Sequence, residues 1–529
     1  MPDQPIAEQL AKGQREISIS EFFTRNRHLL GFDNPARALL MTVKEAVDNA
    51  LDATADMKVL PEIKLAIEQL SETRFKVTIE DNGPGIVKEQ IPNIFAKLLY
   101  GSKFHTLKQN RGQQGIGISA AVLYSQLTTG KPTRITSRIS PKKPSHYYEL
   151  NIDTKRNEPV IAKELEVEWE KDHGTKIEIE LEAKYLKGKQ SVDEYVKQTA
   201  IANPHATLIY FNPEKEKTEY LRGTNQLPIE SKAIKPHPHG IELGTLIKML
   251  HDTSSTTLKS FLQNDFSRIG AGTAKGICQQ ANLYEKARPA KIAQQEAEAL
   301  FKALQAAKVI APPTDCLSPI TNTILEKGLK KEIKADFYVA ITRPPTVYRG
   351  FPFQVEAAIA YGGELDKEGQ VRLMRFANRV PLLYQQGACA ITEAVTDNNW
   401  KPYGLQQSGN NLPAGPAVII VHIASVWVPF TSEAKEAIAH YDDIIKEIKL
   451  ALQECGRKLA TYIRHNVKAA EQKERIGLFE KYIPELASSL SVLSDEKKTI
   501  IEENLKKILK KSMSSLLEEN GVGNDKEKK

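Results

Sequence analysis

Three short motifs in fixed order, KEAVDNALDA (44–53), EDNGPGI (80–86) and RGQQGIG (111–117), constrain this chain more than anything else in it. The first belongs on a helix: Asn34 can cap it, Pro35 suits its first turn, and Leu39, Val43, Val47 and Leu51 recur every four residues as a buried stripe. Glu45, Asn49 and Asp52 then share a different face. That spacing brings a carboxylate able to act as a base near an amide and a second carboxylate suited to a hard cation such as magnesium.

The second motif follows an alternating strand, Phe75, Val77 and Ile79, which places Asp81 at the strand end. Asn82 to Gly85 force a turn open enough for a flat ring to approach, and Asp81 can accept a hydrogen bond from an exocyclic amine such as that of adenine. The third motif sets Gly112, Gly115 and Gly117 just before an apolar helix, Ile118 to Leu127. Backbone amides and a helix N-terminus favour phosphate oxygens there. A P-loop is excluded as the rival: Thr129, Gly130, Lys131 and Pro132 lack both the preceding glycine and the following Ser or Thr.

The order and spacing of these motifs, with the Gly-Thr before the strand Lys176 to Leu181, resemble the ATPase superfamily of gyrase, heat-shock chaperones, histidine kinases and mismatch-repair proteins, the Bergerat fold.

The 529 residues allow about three or four domains. A net charge of +7 is compatible with a polyanionic partner without requiring one. The four cysteines, Cys278, Cys316, Cys389 and Cys455, form no Cys-x-x-Cys and fit reduced thiols of a cytoplasmic protein. The N-terminus, with Asp3, Glu8, Lys12, Arg15 and Glu16, lacks the apolar core of a signal peptide, and the most apolar stretch, Pro416 to Phe430, reads as a buried strand rather than a membrane span.

Along the chain the expected architecture is α+β and multidomain. Residues 1–230 form an α/β sandwich with an N-terminal strap. Residues 231–310 form a helical insert opening at IKPHPHG (234–240), where His237 and His239 belong to a structural turn. Within the insert Leu243, Leu246, Ile247 and Leu250 make a stripe, and Ile269, Gly270, Gly272 and Gly276 mark tight turns, a pattern that resembles a helix-two-turns-helix module. Such a module serves either as a contact to nucleic-acid backbone or as a rigid spacer. Residues 311–473 bring strands back at Phe337 to Ile341, Phe353 to Tyr361, Arg372 to Ala377 and Ala417 to Val428. RFANRVPLLY (375–384) resembles the transducer domain of the gyrase and mismatch-repair branch, and SEAKEAIA (432–439) puts Lys435 at the start of a helix, resembling the transducer's switch lysine. A heptad stripe from Tyr441 to Tyr462 predicts a stalk helix from about Thr431 to Lys473, either a coiled-coil seam or packed on its own domain. Residues 474–529 add more helix, ending in a disordered GVGNDKEKK (521–529).

This series, with YGSKFHTLKQNRGQQGIGISAAVLYSQLTTGKP (100–132), NNWKPYGL (398–405) and PFTSEAKEAIA (429–439), resembles the B subunits of archaeal type IIB DNA topoisomerases, topoisomerase VI, over nearly the full chain. With the given sequence ending soon after the stalk, the expectation is a B subunit lacking the additional C-terminal β domain of some relatives. The resemblance implies that ATP binding dimerises two B subunits around double-stranded DNA without sequence preference, while a topoisomerase VI A subunit cleaves a second duplex, in an A2B2 heterotetramer. No Asp-x-Asp pair accompanies Tyr100 or Tyr403, which argues against either as a cleaving nucleophile.

By resemblance and chemistry together, Glu45 activates the attacking water, Asn49 binds the Mg²⁺ that bridges the phosphates, and Asp81, with Gly85 in its turn, reads adenine. Ser102 and Lys103 border the nucleotide, and Thr175 supports the adenine pocket. The amides of Arg111, Gly112, Gln113, Gln114, Gly115, Ile116, Gly117 and Ile118 hold phosphates, and Lys435 senses the γ-phosphate. For DNA, Lys187 and Lys189, and Trp400, Lys401 and Tyr403, resemble the family's contact loops, in which lysines neutralise phosphate without reading bases. A chaperone, a mismatch-repair ATPase or a non-catalytic DNA clamp would share parts of this pattern.

Overall fold

The computed structural model describes residues 6–14, 16–102, 106–112, 115–494 and 496–519. Lys103, Gln113, Gln114 and the expected tail 521–529 lie outside them. Two compact units divide the chain, Met1–Gly456 and Arg457–Lys529.

The first unit opens with short helices α1 (Ile6–Gly13) and α2 (Ile19–Arg25), then α3 (Pro35–Met57). Asn34 caps α3 by accepting the Arg37 amide, Pro35 occupies its first turn, and Leu39, Val43, Val47 and Leu51 are all buried, as the four-residue recurrence predicts. Strands β1 (Glu62–Gln69) and β2 (Arg74–Glu80) follow, then α4 (Ile91–Ala96), α5 (Gly117–Thr129), β3 (Thr133–Arg138), β4 (Ser145–Asp153), β5 (Glu158–Val167), β6 (Gly174–Glu182), α6 (Val192–Ala202), β7 (Thr207–Phe211) and β8 (Lys217–Tyr220). Eight strands form one sheet in the order β5-β4-β3-β6-β2-β1-β7-β8, antiparallel except for the β1–β7 pair. Alternate residues of β1 and β2 are buried, Ile63, Leu65 and Ile67 beside Phe75, Val77 and Ile79, in one core with residues of α3, α5 and α6. That core fixes the height of α3 and α5 above the end of β2.

Four helices make the insert: α7 (Leu243–Asp252), α8 (Leu258–Asp265), α9 (Ala271–Gln280) and α10 (Gln294–Ala306). Leu246 and Leu250 are buried there, but Ile247 is exposed. The glycines correct the sequence reading. Gly270 caps α9, whereas Gly272 and Gly276 lie inside it, because burial of Ala274, Ile277 and Cys278 on one side of α9 offsets glycine's weak helix propensity. His237 and His239 spend their ring nitrogens on the carbonyls of Ile310 and Ala307, as a structural turn requires.

Helix α11 (Asn322–Glu332) leads into a second, six-stranded sheet of β9 (Phe337–Thr342), β10 (Thr346–Tyr348), β11 (Phe351–Tyr361), β12 (Arg372–Ala377), β13 (Val380–Pro381) and β14 (Ala417–Ser425). Every residue of β14 is buried, which explains the run of apolar residues that is too short to span a membrane. No helix among the described residues is long and apolar enough to cross one. Ile201 and Ala202 of α6 share a core with Ile324, Leu325 and Leu329 of α11 and with Phe376 of β12, so the two sheets are joined through packed helices.

After α12 (Ala390–Thr396) the chain reaches α13 (Asp442–Ser494) and α14 (Lys498–Glu519). The stalk helix therefore starts at Asp442, eleven residues later than the expected Thr431, and Lys435 is not at a helix start. Lys435 has φ +54, its amide donates to Ser432 O in a tight turn, and Phe430 bridges Ile438. A left-handed residue and a cross-turn bridge both stop a helix. Up to Gly456 the heptad stripe is buried against its own unit: Ile448, Leu452 and Cys455 are fully buried, and Arg343 pairs with Glu447 at 3.2 Å.

Candidate nucleotide site

Helix α3, the turn after β2, the N-terminus of α5 and the Ser432–Lys435 turn converge on one cavity of about 620 Å³. Its wall includes Glu45 and Asn49 from α3, Asp81 and Gly85, Ser102, Gly112, Gly115, Ile116, Gly117 and Ile118, Thr175 and Lys435. Thus twelve of the expected site residues meet in one place.

Asp81 is 6% exposed, and its Oδ1 accepts the amides of Gly83 at 2.8 Å and Thr175 at 3.2 Å. Burial pushes its carboxyl up to about 6, against the pull of those two amides and of Lys171. The turn beneath it needs glycine at position 85, where φ is +72 and a Cβ would strike the Arg138 carbonyl. Thr175 is buried beside Ser137, their hydroxyls 3.3 Å apart. Pocket residues that no motif announced are Leu30, Phe32, Met41 and Phe95, apolar or aromatic walls suited to a ring.

At the other end Glu45, its side chain 17% exposed, lies so close to the first residue of α5 that a Cβ on Gly117 would collide with its carboxylate. Burial works against its charge, but the ammonium groups of Lys44 and Lys435 outweigh it and hold the carboxyl below the usual range. Lys44 bonds Glu45 Oε1 at 3.1 Å and lies 3.7 Å from Asp48, whose Oδ1 accepts the Tyr195 hydroxyl at 3.0 Å. This buried charge pair was legible as Lys44 and Asp48 four apart, but their setting behind Glu45 was not. Burial pushes Asp48 up to about 6, with Lys44 opposing.

Asn49 is exposed to the cavity, and its Oδ1 lies 3.7 Å from where a Cβ of Gly112 would stand. Asp52 departs from the sequence reading. It is bound to Arg111 at 2.9 Å, so it is not a second ligand beside Asn49. Among the described residues no cluster of three His, Cys, Asp or Glu could hold a metal. One amide oxygen beside the glycine-rich loop at Gly112 fits a magnesium carried largely by phosphates and water, not a cage built from protein. Arg111 itself turns its guanidinium away from the cavity, to Asp52 and to Asn203 at 2.6 Å.

Lys435 reaches the same region from the far end of the unit. Its ammonium donates to the Arg111 carbonyl at 3.2 Å, and burial lowers its pKa while Glu45 resists that shift. The neighbouring Glu436 is paired with Arg37 of α3, whose guanidinium also lies over the Tyr384 ring, 5.2 Å from its centre.

The expected DNA-contact residues are elsewhere. Lys187 and Lys189 are exposed in the loop after β6, and Lys187 pairs with Glu214 at 2.7 Å. Lys401 is exposed, but Trp400 is fully buried and its indole donates to Val395 O at 2.7 Å. Trp400 therefore anchors its loop and cannot touch DNA from this position. Half-buried Tyr403 packs edge-on against it, with ring centres 6.0 Å apart.

Residues 34–185 match the family of histidine kinase-, DNA gyrase B- and HSP90-like ATPases, and residues 312–475 match the topoisomerase VI B subunit transducer family. Among curated proteins, the type 2 DNA topoisomerase 6 B subunit of Methanococcoides burtonii is 52% identical over 92% of this chain and 78% of its own length. The proteins of the same description from Methanosarcina mazei and Archaeoglobus fulgidus are 51% and 46% identical, over 92% and 94% of this chain and 79% and 82% of theirs.

Proposed function

Since this chain belongs to the family of type 2 DNA topoisomerase 6 B subunits, and so is the ATPase component of an ATP-dependent type IIB DNA topoisomerase, we propose the following division of labour among its residues. The observation that carries it is the meeting of Lys435 and Glu45 at one cavity with Asp81 at its other end.

Asp81 accepts the adenine amine, with Gly85 and Thr175 shaping the ring's slot. Phosphate oxygens take the amides of Gly112 and Gly115 to Ile118 and the N-terminus of α5, where the Glu45 carboxylate already rests. Ser102, in the cavity wall, borders the nucleotide with Lys103, and Gln113 and Gln114 belong to the phosphate-holding segment by sequence. Glu45, kept ionised by its two lysine neighbours, accepts the proton of the attacking water. Asn49 holds a Mg²⁺ ion, which supplies charge neutralisation at the phosphates when bound. Lys435 places a compact positive charge where a γ-phosphate would favour it over the diphosphate product.

ATP binding then closes a homodimer of this chain around double-stranded DNA, and a topoisomerase VI A subunit in an A2B2 assembly makes the break through which it passes. Lys187, Lys189 and Lys401 meet DNA phosphates without reading bases. The expected compartment is the cytoplasm, at the nucleoid. Relaxation of a supercoiled plasmid by the chain with its cleaving partner, and not by either alone, tests this reading; ATP-independent relaxation by the pair would overturn it.

A further inference from the structure

The turn between β12 and β13 carries two consecutive non-glycine residues with left-handed backbone, Asn378 at φ +49 and Arg379 at φ +69, and both are buried. A two-residue hairpin turn takes positive φ at both positions, which asparagine adopts readily and arginine only where its surroundings hold it. Here they do. The Arg379 amide donates to Nε2 of His422, whose Nδ1 bonds the buried Glu356 carboxylate, and the Arg379 guanidinium donates to Pro319 O at 2.8 Å.

Asn378 faces the other way. Its Nδ2 donates to Ser425 O at 2.9 Å and to Asn110 O at 3.0 Å, while its Oδ1 accepts the Ser425 amide at 2.9 Å. One amide thus ties the end of β14 to the peptide that precedes Arg111. On either side of that peptide, Gln109 exchanges hydrogen bonds with the Ser318 backbone at 3.1 and 2.6 Å, and Arg111 is tied to Asp52 of α3. The next residue, Gly112, is already cavity wall.

We propose that Asn378 is a positioning residue that couples the phosphate loop to the second sheet, by gripping the backbone at Asn110 rather than by sensing charge. The coupling rests on the reading of the cavity as an ATP site, and it runs beside the Lys435 contact, not through it. When phosphates settle against the Gly112 end of the cavity, a shift of the Asn110–Gly112 backbone passes through the Asn110 carbonyl to Asn378 and so to β14.

Asn378→Gly separates this role from that of a turn former, because glycine keeps the positive φ at ease and removes only the amide. In the full chain with its cleaving partner and DNA, the variant should melt lower, because the buried Ser425 amide and carbonyl lose their partner, yet keep its KM for ATP. Its kcat and the dimer closure driven by a non-hydrolysable ATP analogue should fall, closure by about five-fold or more. Asn378→Ala should show the same loss. A glycine variant with wild-type kcat and closure would overturn the proposal, and would leave the Lys435 reading standing if Lys435→Ala, measured alongside, loses closure. A glycine variant that loses nucleotide affinity in step with kcat would overturn it too, since Asn378 would then only support the pocket. Should the variant melt too low to assay, hydrogen exchange on the wild type decides: the analogue should protect residues 106–112 and 372–382 together, and protection of the first segment alone refutes the coupling.

Discussion

The Lys435 ammonium and the Arg111 carbonyl, 324 residues apart in the chain, are hydrogen-bonded at 3.2 Å. One member follows the second sheet and the other opens the glycine-rich motif RGQQGIG, so the bond spans the two layers that ATP is proposed to bring into register. Lys435→Ala should therefore weaken closure of the dimer by a non-hydrolysable analogue more than it weakens nucleotide binding. Crosslinking or scattering of the analogue complex reads closure directly; full closure in the variant, with normal relaxation alongside the partner, would remove Lys435 from the switch.

Glu45→Gln retains the size of the side chain and its place over Gly117, but gives up the base. ATP binding should survive while hydrolysis drops about 10²- to 10⁴-fold. Isothermal titration with ATP and a steady-state phosphate-release assay separate the two, and turnover within a few-fold of wild type contradicts the assignment.

Asp81 supplies a pH dependence whose sign is fixed by its folded-state value of about 6, above the ordinary aspartate value of 3.8. Keeping it ionised costs the fold stability above about pH 6, and that cost disappears as pH falls through 6 towards 4. Nucleotide binding runs in the opposite direction, since the ionised carboxylate is the stronger acceptor for the adenine amine and the protonated acid can turn an O–H toward it, so ATP affinity should decline as pH drops below about 6. Asp81→Asn keeps an oxygen for the Gly83 and Thr175 amides but can turn a donor to the ring. Its melting temperature should hold or rise while its preference for ATP over GTP falls. A pH-independent affinity between 7.5 and 5 in the wild type, by calorimetry, would count against the adenine contact.

Trp400 and Lys401 are adjacent in sequence and opposite in role. Trp400→Ala empties a fully buried site and should cost about 3–5 kcal/mol of stability. Lys401→Ala should leave the melting curve unchanged and weaken duplex binding, and with Lys187→Ala and Lys189→Ala should reduce the salt slope by up to roughly three units. Lys187 should give less than a full unit because Glu214 already neutralises it. An unchanged slope in the triple variant would take all three lysines out of the interface.

The local signals in the sequence were sufficient for the three motif segments that line the cavity. The α3 cap, the buried four-residue stripe, the alternation of β2 and the glycines before α5 are all decided by neighbours within a few residues, and all stand where the spacing puts them. The family, too, was legible, because the transducer and switch motifs keep their order over most of the chain. What tertiary structure alone decided is which polar groups are already engaged. Asp52 is bound by Arg111, Trp400 is turned inward to Val395, and Gly272 and Gly276 are held in a helix by the packing of α9. Lys435 followed the same rule: its motif marked it, but helical periodicity ran through a turn that the Phe430–Ile438 bridge and a left-handed residue had closed. Periodicity reports a chain's preferences along one element. The partner that satisfies a buried charge or stops a helix arrives from hundreds of residues away, and only folding brings it there.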